Sequence, residues 1–144
     1  MKDFAVRSPG AKVGGLVYFG RMIDKIRVHA KGELPAEYQP NLGRGFDGSC
    51  LDLLRIDYRE LLDRVKDDGT DEEILEWCFA RGRRPGNSET YVWNEFMRKR
   101  GWNDELSETL TRRKKEAGMA GRSEIRTMFN FIDADEGRSI ATSL

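Results

Sequence analysis

The stretch that most narrows what this chain can fold into is Thr70-Asp71-Glu72-Glu73, followed at once by Ile74, Leu75, Cys78 and Phe79. Threonine with glutamate three residues later is a capping box. The hydroxyl accepts from one orphan N–H of the first helical turn, and the carboxylate accepts from another. Two further acids lie where the helix macrodipole favours negative charge. The apolar stripe is wide, with Trp77 at its edge, and predicts a central helix.

The same grammar recurs along the chain. Asp57-Tyr58-Arg59-Glu60 opens a helix with a Tyr58, Leu61, Leu62 and Val65 stripe that stops near Asp68-Gly69. Ser88 caps a helix over 89–100, with Val92, Trp93, Phe96 and Met97 facing inward and Gly101 as its stop. Phe46-Asp47-Gly48-Ser49 leads into a short helix, 50–54, with Asp47 or Ser49 as the cap. A helix over about 104–117 aligns only Leu106, Leu110 and Ala117, so it belongs on the outside. A last helix, about 123–132, presents Ile125, Met128, Phe129 and Ile132. Nothing alternates apolar and polar over a strand length except a weak Phe4-Ala5-Val6. The expected fold is all-α, a single-domain irregular helical bundle of six to seven helices. An irregular or extended lead-in occupies 1–19 and a polar tail 133–144.

Charge and cysteine content exclude several classes of function. Lys plus Arg and Asp plus Glu number 25 each, so no cationic surplus marks a general binder of nucleic acid or anionic membrane. The longest apolar run, Leu16-Val17-Tyr18-Phe19, is far short of the ~20 residues that span a bilayer. No signal peptide is visible after Met1, so a cytoplasmic location is expected. Cys50 and Cys78 sit in apolar helical faces and are expected to be reduced core residues. One histidine and no paired thiols leave no zinc site, and Asp133-Ala134-Asp135-Glu136-Gly137 lacks the ligand pattern of a calcium loop. No nucleotide or hydrolase fingerprint occurs, so neither metal nor cofactor is expected.

Most of the interesting chemistry falls on Arg21-Met22-Ile23-Asp24-Lys25-Ile26-Arg27-Val28-His29. This helix is predicted over about 20–31, ended by Gly32. Phe19, Met22, Ile23, Ile26 and Ala30 share its buried face, while Asp24 and Val28 point away. Arg21, Lys25 and His29, four apart, run along one edge. With Arg7 beside them and the 32–46 loop, including Tyr38, as a lid, they would receive a carboxylate or phosphate. The plainer reading is that Arg21, Asp24 and Lys25 pair along their own helix. An enzyme with His29 as general base is a further alternative, although Asp24 lies on another face and cannot orient that imidazole.

Two basic clusters offer another alternative, a nucleic-acid-contacting accessory protein. Arg81, Arg83 and Arg84 precede the 89–100 helix, Arg98, Lys99 and Arg100 close it, and Arg112-Arg113-Lys114-Lys115 follows. Tyr91, Trp93 and Trp102 are interleaved as rings on which bases could stack. Helix C-termini attract cations without any partner, and nearby acidic runs can neutralise them, so this reading is not favoured. The chain could be a monomer, or a homodimer through exposed Val28, Phe131 or Trp102.

The order Arg7-Ser8-Pro9, Lys12-Val13-Gly14-Gly15 and Arg21 to Arg27 resembles the opening of a bacterial family of small proteins classed only as a domain of unknown function. The likeness continues through Gly32, Tyr38, Asp71, Trp77, Trp93-Asn94 and Glu136-Gly137-Arg138, and departs at Gly20, where a helix-starting proline is expected in relatives. The resemblance implies a cytosolic bacterial protein and carries no reaction with it. The expected function is a non-enzymatic domain that binds a small anionic ligand or a protein partner. Its site residues are Arg7, Arg21, Lys25, His29 and Tyr38.

Overall fold

The structure, a computed structural model, describes residues 6–140. Most of the Phe4-Ala5-Val6 alternation and the end of the tail, 141–144, lie outside the described residues.

The lead-in is more ordered than the sequence implies. Lys12–Val13 (β1) and Leu16–Val17 (β2) pair antiparallel as a short hairpin. Gly14 and Gly15 form its two-residue turn at φ 55° and 84°, the left-handed pair that matches strand twist. Two strands alone are marginal in water, and here a helix supplies the missing partner. Asn94 accepts from Val17 N–H at 3.0 Å and donates to Gly15 C=O at 2.8 Å, and Trp93 Nε1 donates to Val17 C=O at 3.1 Å. Leu16 and Val17 are thereby buried at the start of the core.

Seven α-helices follow among the described residues: α1 Phe19–Ala30, α2 Phe46–Leu54, α3 Tyr58–Lys66, α4 Asp71–Arg81, α5 Asn87–Lys99, α6 Ser107–Glu116 and α7 Met128–Asp135. A 3-10 helix, Ala36–Asn41, lies inside the long loop before α2. The all-α expectation stands. The main core gathers Phe19, Met22 and Ile23 of α1 with Leu54, Leu61, Ile74 and Met97 of the surrounding helices, all essentially inaccessible. A smaller cluster joins Leu110 of α6 to Met128, Phe131 and Ala134 of α7. Cys50 and Cys78 are free and buried.

Caps account for the boundaries. The Thr70 capping box is present, and Asp57 accepts from Glu60 N–H. Gly32 follows α1 at φ 72°. Elsewhere the starts move. Gly86, not Ser88, precedes α5, and the Glu89 carboxylate accepts its N–H at 2.9 Å. The Asp104 carboxylate is held by Gly101 and Leu106 N–H groups, which delays α6 to Ser107. Lys114 Nζ binds the carbonyls of Arg122 and Ile125, so 122–125 is loop and α7 starts after Thr127, whose hydroxyl accepts from Asn130 N–H. α2 begins four residues early, after Gly45 at φ 55°.

Burial corrects several expectations. Val92 and Phe96 are exposed at 62% and 52%, because only Trp93 and Met97 of α5 reach the core. Ala30 is exposed, while Asp24 and Val28, expected to face away, are buried. Val28 and Phe131 are therefore not free for a dimer contact; Trp102 is exposed. The start of the tail is anchored rather than frayed: Ala134 and Glu136 are buried, and Arg138 donates to Val6 C=O.

Gly82 closes α4 through its N–H to Cys78 C=O at 2.8 Å, and its α-carbon abuts the end of α2. A methyl group there would overlap the Leu54 carbonyl oxygen and stand 2.7 Å from that of Arg55. Since these are backbone atoms, Gly82→Ala is expected to lose ~1–3 kcal/mol of stability. A urea unfolding midpoint equal to that of the parent chain would contradict this.

Candidate functional site

Every charged residue of α1 from Arg21 to Arg27 is tied to a different segment of the chain. Arg21 makes a two-pronged pair with Glu136, at 2.9 and 2.7 Å, and also donates to Arg7 C=O at 3.1 Å. Glu136 accepts in addition from Tyr38 Oη at 2.8 Å and Arg138 Nη1 at 2.6 Å. Asp24 accepts from the backbone and guanidinium of Arg7 at 2.7–2.9 Å. Asp71, at the head of α4, joins Arg7 at 2.8 Å and Arg27 at 2.7 Å. The pairing is thus tertiary rather than along the helix, the 3.9 Å Arg27–Asp24 contact being the exception.

Lys25 belongs to a third knot. Its Nζ stands 2.7 Å from Asp47 Oδ1 and donates to Tyr18 Oη at 3.0 Å, while Tyr18 donates to Asp47 at 2.6 Å. The other Asp47 oxygen accepts from Gly43 N–H at 3.0 Å. Asp47 is wholly buried in the first turn of α2, where the helix dipole suits a carboxylate. Tyr18 is held at φ 74°, an uncommon conformation for a residue with a side chain, wedged between Phe46 at 5.8 Å and Phe129 at 6.3 Å.

Electrostatics follow from these packings. Burial pushes the Tyr18 phenol well above its usual range, and the Asp47 charge adds to the effect, so Tyr18 stays neutral. Burial also lowers the Lys25 ammonium, and Asp47 only partly restores it. For Glu136 burial acts upward, but the bonds and charge of Arg21 prevail and hold the carboxyl below its ordinary value. Asp71 is lowered the same way, its Arg27 and Arg7 bonds outweighing desolvation. Burial drives the Cys50 thiol up and the Cys78 thiol up to about 12, which removes both as nucleophiles near neutral pH.

Two depressed carboxyls fix the sign of the acid response. Their stabilising contribution is full above the unfolded values, near 4.5 for Glu136 and 3.8 for Asp71, and is lost as pH falls through the lower folded values. Stability should therefore decline steadily below about pH 4.5. In Glu136→Gln the decline over that window should be shallower, as read by unfolding midpoints at pH 3, 4 and 6.

Beside the Glu136 and Asp47 knots opens a cavity of about 460 Å³, within the ~300–1,000 Å³ usual for small-molecule sites. Of the expected site residues, Arg21, Lys25 and Tyr38 line it. Arg7 does not, since its guanidinium is spent on Asp24 and Asp71, and His29 is exposed elsewhere on the surface. Two further arginines line it: Arg44, just before α2, which has no signal in the sequence, and Arg113 on α6, which the sequence offers only as part of the 112–115 basic run. Arg113 lies over the Phe131 ring at 5.3 Å. Among the described residues neither side chain has a carboxylate within ion-pair distance. Phe46, Leu106, Met128, Phe131 and Ile132 supply apolar wall.

The basic clusters are differently placed. Arg81 pairs with Glu60, Arg83 with Glu89, Arg84 with Glu76, Arg98 and Lys99 with Glu95, and Arg100 with Asp104 and Glu105. Trp93 is core, whereas Tyr91 and Phe96 are exposed nearby. Among the described residues no cluster of acids, His and Cys could hold a metal ion, and no helix is long and apolar enough to cross a membrane.

A family model matches residues 4–138, nearly the whole chain. The chain belongs to the DUF5069 family, a domain of unknown function. No curated protein matches it. In this DUF5069 domain the Arg21–Arg27 run and the Glu136-Gly137-Arg138 ending meet in space, for Arg21 joins Glu136 and Arg138 closes the same carboxylate.

Proposed function

We propose that this domain is a non-enzymatic binding module whose cavity takes a small anionic ligand, with Arg44 and Arg113 as the recognising groups. The observation that carries this reading is a charge mismatch. Arg21 and Lys25 are matched by Glu136 and Asp47, whereas Arg44 and Arg113 face the same hollow with no carboxylate partner among the described residues. The acids that also line it, Glu37 and Asp135, already have partners of their own. Arginine presents a planar fork suited to carboxylate and phosphate oxygens.

Lys25 and Tyr38 remain in the site as wall rather than as the primary anion ligands, and Lys25 keeps one N–H beyond those given to Tyr18 and Asp47. Arg21 and Arg7 act by holding the wall in place. Two free thiols fit a reducing cytoplasmic setting, and we place the protein in a bacterium on the resemblance of its opening.

Amide-resolved NMR titration with sodium phosphate and sodium acetate, at ionic strength held constant with chloride, tests the reading. Shifts should concentrate at Gly45, Phe46 and the Arg113 turn, and should vanish in the Arg44→Gln/Arg113→Gln double variant. Shifts that survive in that variant, or that chloride alone reproduces, would end it.

A further inference from the structure

The cavity is lined by two unlike kinds of side chain, and together they specify more than charge. Its unmatched cations are Arg44 and Arg113, and the remaining wall includes Phe46, Leu106, Met128, Phe131 and Ile132. We propose that the occupant is an organic anion with an apolar body, a carboxylate or phosphate monoester, whose head meets Arg44 and Arg113 while its body lies against those apolar side chains. The proposal rests on the anion-binding reading and adds the ligand class.

Size argues for a body. A cavity of about 460 Å³ exceeds several-fold what an inorganic phosphate fills, given that one water occupies ≈ 30 Å³. A bare anion would leave the apolar wall wet, and burying such surface is what favours an apolar ligand over water. Arg113 brings the two kinds together. Its guanidinium lies over the Phe131 ring, and its N–H groups bond to no described acceptor. A ligand reaching across Phe131 would meet ring and charge together. Of the wall acids, Glu136 is committed to Arg21, Tyr38 and Arg138, so it opposes an anionic head less than a free carboxylate would.

The test is isothermal titration of the full chain with five probes: sodium acetate, inorganic phosphate, 1-naphthoate, 1-naphthyl phosphate and the neutral 1-naphthalenemethanol. 1-Naphthoate should bind at least about 30-fold more tightly than acetate, and 1-naphthyl phosphate should exceed inorganic phosphate by a similar factor, as expected for burying one bicyclic ring system. 1-Naphthalenemethanol should bind at least about tenfold more weakly than either charged aromatic probe. Which naphthyl anion binds more tightly names the headgroup. Arg44→Gln and Arg113→Gln should each erase most of the advantage of charge. Leu106→Ala, at a half-buried wall position, should weaken both naphthyl anions more than it weakens acetate and phosphate, and so erase part of the advantage of the ring.

Acetate and phosphate binding as tightly as their naphthyl counterparts would overturn this proposal and leave the anion-binding reading standing. Equal binding of the neutral and charged aromatic probes, unaffected by either arginine variant, would overturn both. Silence of all five probes at millimolar concentration would also overturn both.

Discussion

Asp47→Asn is expected to cost about 3–5 kcal/mol of folding stability, the range for a buried charge deprived of its partner. The carboxylate is wholly buried and serves three donors at once, the Tyr18 hydroxyl, the Lys25 ammonium and the Gly43 amide. An asparagine of the same size keeps one carbonyl acceptor, but it leaves the Lys25 charge uncompensated in a site whose burial already lowers its pKa. The variant should therefore carry a pH signature that a packing defect would lack. Lys25 is lowered already in the parent chain, where Asp47 partly restores it, so loss of that carboxylate lowers it further and enlarges the excess of protons that the unfolded chain binds below the ordinary 10.5. Stability of Asp47→Asn should then rise as pH is raised from 7 toward 10, narrowing its gap to the parent chain. Denaturant midpoints across that range check both parts. A loss under about 1 kcal/mol, or a gap that does not depend on pH, would show that Lys25 does not rely on Asp47 for its charge.

The same knot marks where sequence reasoning ran out. Helix identity was legible because its causes are local, namely the Thr70 capping box, the Asp57 cap, the Gly32 stop and the stripes of α3 and α4. The edge of α1 was legible in part. A spacing of four places Arg21 and Lys25 on one side, and both do line the cavity. What one helix cannot disclose is what arrives opposite it. Glu136 lies 115 residues from Arg21, and Asp47, 22 residues beyond Lys25, reads as a candidate cap of its own short helix, so nothing local pairs either acid with α1. Once those acids are in place, two of the expected anion receptors are satisfied by the protein itself.

His29 lies outside the cavity lining for a related reason. It shares the edge at Arg21 and Lys25 by period, but lies two turns on from Arg21 and past the cavity, where the helix is leaving the core. Arg44 and Arg113 belong to segments with different local readings, a glycine-rich loop and a basic run on an outer helix. Only tertiary packing of α2, α6 and α7 brings them to one hollow. Val92 and Phe96 erred in the opposite direction. Their helical period is real, but α5 meets the hairpin through Trp93 and Asn94, which rotates those two toward solvent.

The Arg21–Glu136 pair supplies the second large effect and shows why α1 cannot be read as a ligand-binding surface alone. Arg21→Met should destabilise by about 3–5 kcal/mol, since it strands a buried carboxylate. Arg138 and Tyr38 still bond to Glu136, which argues for the lower part of that range. Glu136→Leu should cost as much or more, because it leaves Arg21 buried and deprives Tyr38 and Arg138 as well. The double variant decides between pairing and packing. If the cost of each single change is mainly the stranded charge, Arg21→Met/Glu136→Leu should recover at least about 1 kcal/mol relative to the sum of the two. Full recovery is not expected, because Arg7 C=O loses its guanidinium donor and Arg138 its carboxylate. Additive losses in such a cycle, measured by urea unfolding, would mean that the two side chains contribute through separate contacts. The anchoring of the 134–138 segment would then have to be sought in the packing of Ala134 against α6 and in the Arg138 bond to Val6.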